Sequence, residues 1–214
     1  MEHAFVPVPE GAGKPYPVSR GGKPVFLTDD RGPVARRLAC CLSDRGFSVV
    51  LNCLSEEPVP ENCRKVRIDP LDQEGLEQLL RGLGPETCVL HPAPPPLRAD
   101  VALADDKLWD RAFREGPLAA LQTARAAGNA LRGGSLVFLG DLHAEKPTGC
   151  AFTYSVAQGA LAMMMREASL DYGRLGIRVN MVEAGPLPED AERFHSEISG
   201  IYDTLETKIP RGRA

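Results

Sequence analysis

The sequence predicts a doubly wound parallel α/β sheet, and three observations carry that prediction. Short, continuous apolar runs recur along the chain, amphipathic helical stretches separate them, and the runs are too uniformly apolar to have a solvated face. A strand buried on both faces needs helices above and below it, which a βα alternation supplies. At 214 residues and 43% hydrophobic, the chain is long enough for one sizeable core and short for two.

The elements follow in order. Residues 1–24 hold five prolines and several glycines without apolar period, and read as an extended arm; residues 25–214 form the single domain. Strands are expected at VFL (25–27), VVL (49–51), VRI (66–68), CVL (88–90), LVFL (136–139) and IRVNMV (177–182). Helices are expected from about Pro33 to Arg45, Gln73 to Arg81, Asp106 to Leu131 and Thr153 to Tyr172. Ala157, Leu161, Met164, Met165 and Ala168 recur at helical spacing on the last of these and mark a core or interface stripe. The architecture is Rossmann-type.

Composition excludes several classes. The net charge is −4, with Lys+Arg 25 against Asp+Glu 29 and no long basic run, so nucleic acid and an anionic membrane surface are not expected partners. No apolar stretch approaches the roughly 20 residues of a membrane span, and MEHAFVPVPEG lacks the order of a signal peptide; a cytoplasmic location is expected. Cysteines 40, 41, 53, 63, 88 and 150 have no CxxC spacing and read as small buried hydrophobes, while the four histidines are scattered, so no metal site is expected.

Four stretches resemble the short-chain dehydrogenase/reductase family in the family's order, from about Gly22 to Arg211. They are GKPVFLTDDRGPVARRLACCLSDRG (22–46), KLWDRAFREGPLAALQTA (107–124), GSLVFLGD (134–141) with Tyr154 thirteen residues after Asp141, and GIRVNMVEAGPL (176–187). An aspartate thirteen before the tyrosine, where most members have serine, is similar to the pteridine reductase and dihydromonapterin reductase branch. KIPRGRA (208–214) resembles the segment before the family's last helix and strand, so those two elements are expected to be missing and strand 177–182 to be an edge.

The resemblance implies a site whose parts have been replaced. The family's phosphate motif TGxxxGxG falls on Thr28, Asp29, Pro33 and Ala35. Every glycine that would let phosphates approach the backbone is gone, as is the arginine that pteridine reductases carry in place of Pro33. One of Asp29 and Asp30 is a candidate cap for the following helix, a protein carboxylate in the anion position. Ser55 stands where an NADPH-selective member places an arginine, with Glu56 and Glu57 behind it, and HPAPPP (91–96) replaces the loop against the cofactor ribose.

Tyr154 and Asp141 remain as the catalytic remnants. The expected lysine, which lowers the tyrosine pKa and binds the nicotinamide ribose, is Gln158; the expected asparagine of the preceding helix is Gly116. No dinucleotide is therefore expected. The pattern suggests a catalytically inactive member acting as a structural or regulatory subunit. It would form homo- or hetero-oligomers through helices near 106–131 and 153–172, an active paralogue being one partner. The alternatives are an NAD(P)H-dependent reductase of a pterin or related molecule using Tyr154 and Asp141, and a small-molecule sensor.

Overall fold

The computed structural model describes residues 22–31, 33–146 and 151–185. Six parallel strands form one sheet in the order β3-β2-β1-β4-β5-β6. They are β1 (Pro24–Leu27), β2 (Ser48–Asn52), β3 (Arg64–Val66), β4 (Cys88–Pro92), β5 (Ser135–Asp141) and β6 (Arg178–Ala184). The helices are α1 (Pro33–Asp44), α2 (Gln73–Leu83), α3 (Asp106–Phe113), α4 (Ala119–Ala130) and α5 (Phe152–Gly173). The chain winds outward from β1 to β3, then crosses back to β4 on the other side of β1 and winds out to β6. The direction therefore reverses between β1 and β4, and the crevice outside the carboxyl ends of those two strands is where such sheets bind ligands.

Period-two burial explains both faces. Phe26, Val50, Val89, Leu136 and Phe138 point to one side and pack with α2, α4 and α5. Val25, Leu27, Val49, Leu51 and Leu90 point to the other and pack with α1 through Ala35 and Ala39. Two aspartates start helices: Asp72 accepts the Gly75 N–H at 3.0 Å for α2, and Asp105 accepts the Leu108 N–H at 2.8 Å for α3. Asn52, wholly buried, ties three strand ends together. Its amide donates to the Thr28 and Ile68 carbonyls at 3.0 and 2.9 Å and accepts the Ile68 N–H at 2.8 Å.

Several expectations need correction. The third strand is 64–66 rather than 66–68, because Ile68 is drawn out of the ladder by Asn52. The stretch 106–131 is not one helix: a π-helical turn, Arg114–Leu118, separates α3 from α4. Pro117 has no N–H to give and its ring cannot sit against the preceding turn, so the coil widens there. Pro24, grouped with the arm, opens β1. Residues 1–21 of the arm, Cys150 and the stretch 186–214, which includes the KIPRGRA segment behind the expectation about the last helix and strand, lie outside the described residues. Among the described residues β6 is the sheet edge, and no helix is long and apolar enough to cross a membrane.

Leu136 is fully buried in β5, between β4 and β6. Leu136→Ala is expected to destabilise the fold by about 2–5 kcal/mol, seen as a lower urea midpoint with an unchanged denaturant slope.

Candidate functional site

The site residues are gathered at the carboxyl ends of β1, β2, β4 and β5 because each follows the last core residue of its strand. After β1 come Thr28, Asp29 and Asp30, all buried although polar. Asp29 accepts the Arg31 backbone N–H at 2.8 Å and the Arg31 guanidinium at 2.7 Å, and Arg31 reaches Glu115 in the π-helical turn at 3.4 Å. Asp30 turns the other way, to the end of β2, where it accepts the Leu54 and Ser55 N–H groups at 2.7 and 2.9 Å. Among the described residues neither carboxylate accepts a backbone N–H of α1; Asp29 closes a turn at Arg31 and Asp30 reaches β2. The Ala35 methyl is buried in the α1 face of the core. The Pro33 side chain lies outside the described residues.

Ser55 and its acidic neighbours do not stand as free charges. The Ser55 hydroxyl donates to Asp30 at 2.5 Å, Glu56 pairs with Arg67 at 3.0 Å, and Glu57 pairs with Arg36 at 3.0 Å. Both glutamate pairs are on the surface and add little stability. Asp30 is held below the usual carboxylate range. Burial would raise it, but the Ser55 and Leu54 hydrogen bonds and the Arg36 charge outweigh that effect.

At the end of β4, His91 is buried against Phe138, with ring centroids 5.9 Å apart. Its Nδ1 is paired with the Thr28 hydroxyl at 2.8 Å, and the Thr123 hydroxyl of α4 stands 3.4 Å away. Nε2 has no hydrogen-bond partner among the described residues. Burial pushes the imidazole down to about 4; Asp29 and Arg31 act on it in opposite senses.

Asp141 and Tyr154 do come together. The tyrosine hydroxyl donates to Asp141 Oδ2 at 2.6 Å. The other carboxylate oxygen accepts from the His143 backbone N–H at 2.8 Å and is 3.0 Å from His143 Nδ1, and the His143 ring lies edge-on to Tyr154 at 5.3 Å. Burial would raise the Asp141 pKa, but the hydrogen bonds from His143 and Tyr154 hold it low. His143 is the partner that sequence reasoning missed. An aspartate at the head of a short helical turn, here Leu142–Ala144, is a local signal for the backbone bond, though not for the ring's position.

Gln158 occupies the turn of α5 after Tyr154 and is fully buried. Neither Nε2 nor Oε1 of its amide has a hydrogen-bond partner among the described residues. It lies beside Gly140, where a Cβ would meet the Met181 methyl first and come within 2.9 Å of Gln158 Oε1. Gly116 lies in the π-helical turn, where a Cβ would meet Pro94 at 3.8 Å and Ala157 at 3.9 Å, ordinary contact distances. The four positions expected to carry the chemistry are thus assembled on adjacent elements, but of them only Tyr154 and Asp141 are bonded to each other, and His143 joins them from outside the set.

Residues 89–214 match the family model described as enoyl-(acyl carrier protein) reductase. The chain belongs to the short-chain dehydrogenase/reductase family. An uncharacterized oxidoreductase of Schizosaccharomyces pombe is 24% identical to it over 89% of this chain and 72% of that protein. Among solved structures, the TT0495 protein of Thermus thermophilus superposes with a TM-score of 0.76 at 22% identity, covering 90% of this chain and 84% of that one. An NADPH-bound short chain oxidoreductase of Pseudomonas aeruginosa, described as containing an atypical catalytic center, gives 0.72 at 17% identity, covering 88% and 83%. The superpositions show the fold, and the family-model match shows the family.

The titrating groups separate by pH. Unfolded, His91 takes up a proton below about 6.5, whereas folded it does so near 4, so native stability falls as pH drops through that window, by roughly 3 kcal/mol in all. Asp30 and Asp141, with lowered pKa values, stabilise the fold above the usual carboxylate range and lose that contribution only below it. His91→Gln is expected to flatten the decline between pH 6.5 and 4 and leave the steeper acid limb, measured by urea midpoints across pH.

Proposed function

We propose that this chain is a short-chain dehydrogenase/reductase family member that does not run hydride transfer and serves as a structural or regulatory subunit. The observation that carries this reading is Gln158: at the position of the family's lysine stands a fully buried neutral amide. It supplies no charge to Tyr154 and makes no hydrogen bond among the described residues. The corner that would receive a dinucleotide supports the same reading. Its donors are engaged by Asp30, and Arg31 is tied between Asp29 and Glu115. The residues present do not fit the phosphates of NAD(P)H.

What is kept is a surface suited to a partner. Trp109, Leu118, Leu121, Phe152 and Met163 of α3, α4, α5 and the π-helical turn are 37–52% exposed. Trp109, stacked on Phe113 with centroids 4.7 Å apart, borders an open groove of about 680 Å³ with Pro117, Leu118, Leu121 and Met164. Aromatic and aliphatic anchors around a groove are what a protein partner buries. A second short-chain reductase, laid against the same helices in pseudo-symmetry, is the partner this reading names.

The test is to weigh complexes of the chain with and without candidate paralogues. A stoichiometric heteromer is expected, weakened at least about tenfold by Leu121→Glu with little change in Tm. A homodimer indifferent to every paralogue would sink the subunit reading.

One observation favours a second reading. The 2.6 Å bond between Tyr154 and Asp141, with His143 beside both, supports a reductase of a pterin or similar small molecule, in the manner of the pteridine reductase branch. NADPH and NADH fluorescence separates the two readings. The subunit reading expects no saturable enhancement at micromolar protein; saturable binding, with turnover abolished in Tyr154→Phe, would replace it by the reductase.

A further inference from the structure

The corner between β1 and β2 is built as an anion site, and the chain fills it with its own side chain. Asp30 Oδ1 accepts two successive backbone N–H groups, Leu54 at 2.7 Å and Ser55 at 2.9 Å. Asp30 Oδ2 accepts the Ser55 hydroxyl at 2.5 Å and the Arg36 guanidinium at 2.9 Å. Paired amides, a hydroxyl and a guanidinium on one group are the donor set by which proteins hold phosphates and carboxylates. The Asp30 side chain has no exposed surface, so all of its acceptor capacity is used inside the fold. Arg36 is fixed from behind, donating also to the Pro58 carbonyl and pairing with Glu57 at 3.0 Å.

We infer that this corner is a binding site for an anionic oxygen group, whose resident occupant is the tethered carboxylate of Asp30, and that it opens to anions from solution once that carboxylate is removed. The inference shares with the subunit reading the premise that no dinucleotide takes the corner. It does not depend on a partner, so its test leaves that reading standing or falling separately.

Asp30→Ala leaves the four donors facing a space of carboxylate size. Its Tm is expected to fall by roughly 6–12 °C, the cost of stripping one partner from a buried charged network. Sodium formate, titrated against sodium chloride at constant ionic strength, is expected to restore much of the loss in a saturable way, as a ligand bound to the native state does. Inorganic phosphate in a parallel titration shows whether the larger oxyanion also enters. Asp30→Asn fills the same space with a neutral amide and is expected to be destabilised without rescue, and the unsubstituted protein should not respond. If Asp30→Ala is recovered unfolded, the same comparison is made on the folded fraction after dilution from urea, with and without formate. Equal stabilisation of all three proteins by formate would overturn the proposal, and so would an Asp30→Ala variant as stable as the parent.

Discussion

A parallel sheet leaves the backbone groups at its carboxyl edge without ladder partners where its strands stop, and this fold depends on how those groups are satisfied. Here side chains supply the missing partners. Asn52 joins the ends of β1, β2 and β3, Asp30 takes the amides that follow β2, and the Thr28 hydroxyl pairs with His91 across β1 and β4. Each bond crosses the point where the sheet changes winding direction or runs beside it. Residues 28–31 after β1 are therefore held by the protein's own polar groups, and Arg31 beside them and Arg36 of α1 are drawn inward as counterparts of the two aspartates.

The other half of the crevice is organised by α5 and the π-helical turn. Proline at 117 forces the wider coil, which sets the buried Gly116 beside Ala157. On α5, Tyr154 and Gln158 are one turn apart and both buried, but their surroundings differ. Tyr154 meets a carboxylate at the end of β5, whereas Gln158 lies over Gly140 with its amide unmatched among the described residues. A buried amide left without partners carries a desolvation cost of about 1–3 kcal/mol.

Much of this is legible in the sequence. Apolar runs locate the strands because burial on both faces leaves no polar alternation to obscure them, and the interval between Asp141 and Tyr154 places two groups that are bonded. The limits of the third strand escape such a reading because Ile68 is apolar and buried yet bonded to a side chain instead of the ladder. The break at 114–118 is written in Gly116 and Pro117, whose meaning is masked by apolar residues continuing on either side. Asp29 and Asp30 are adjacent and chemically alike; which of them turns toward β2 depends on backbone direction, which composition does not encode. The role of Asn52 stays hidden because it arises from contacts across the fold, and that of the His143 ring because its place beside Tyr154 depends on how α5 packs.

Asp30 has one more consequence, for how the fold answers to its surroundings. A protein whose cofactor corner is closed by a soluble anion gains stability by mass action and yields it when the anion becomes scarce. A carboxylate carried on the chain has an effective concentration set by the length of its tether. It cannot be diluted, dialysed away or outcompeted by shortage, so the junction of β1, α1 and β2 keeps its shape whatever the supply of small molecules around it.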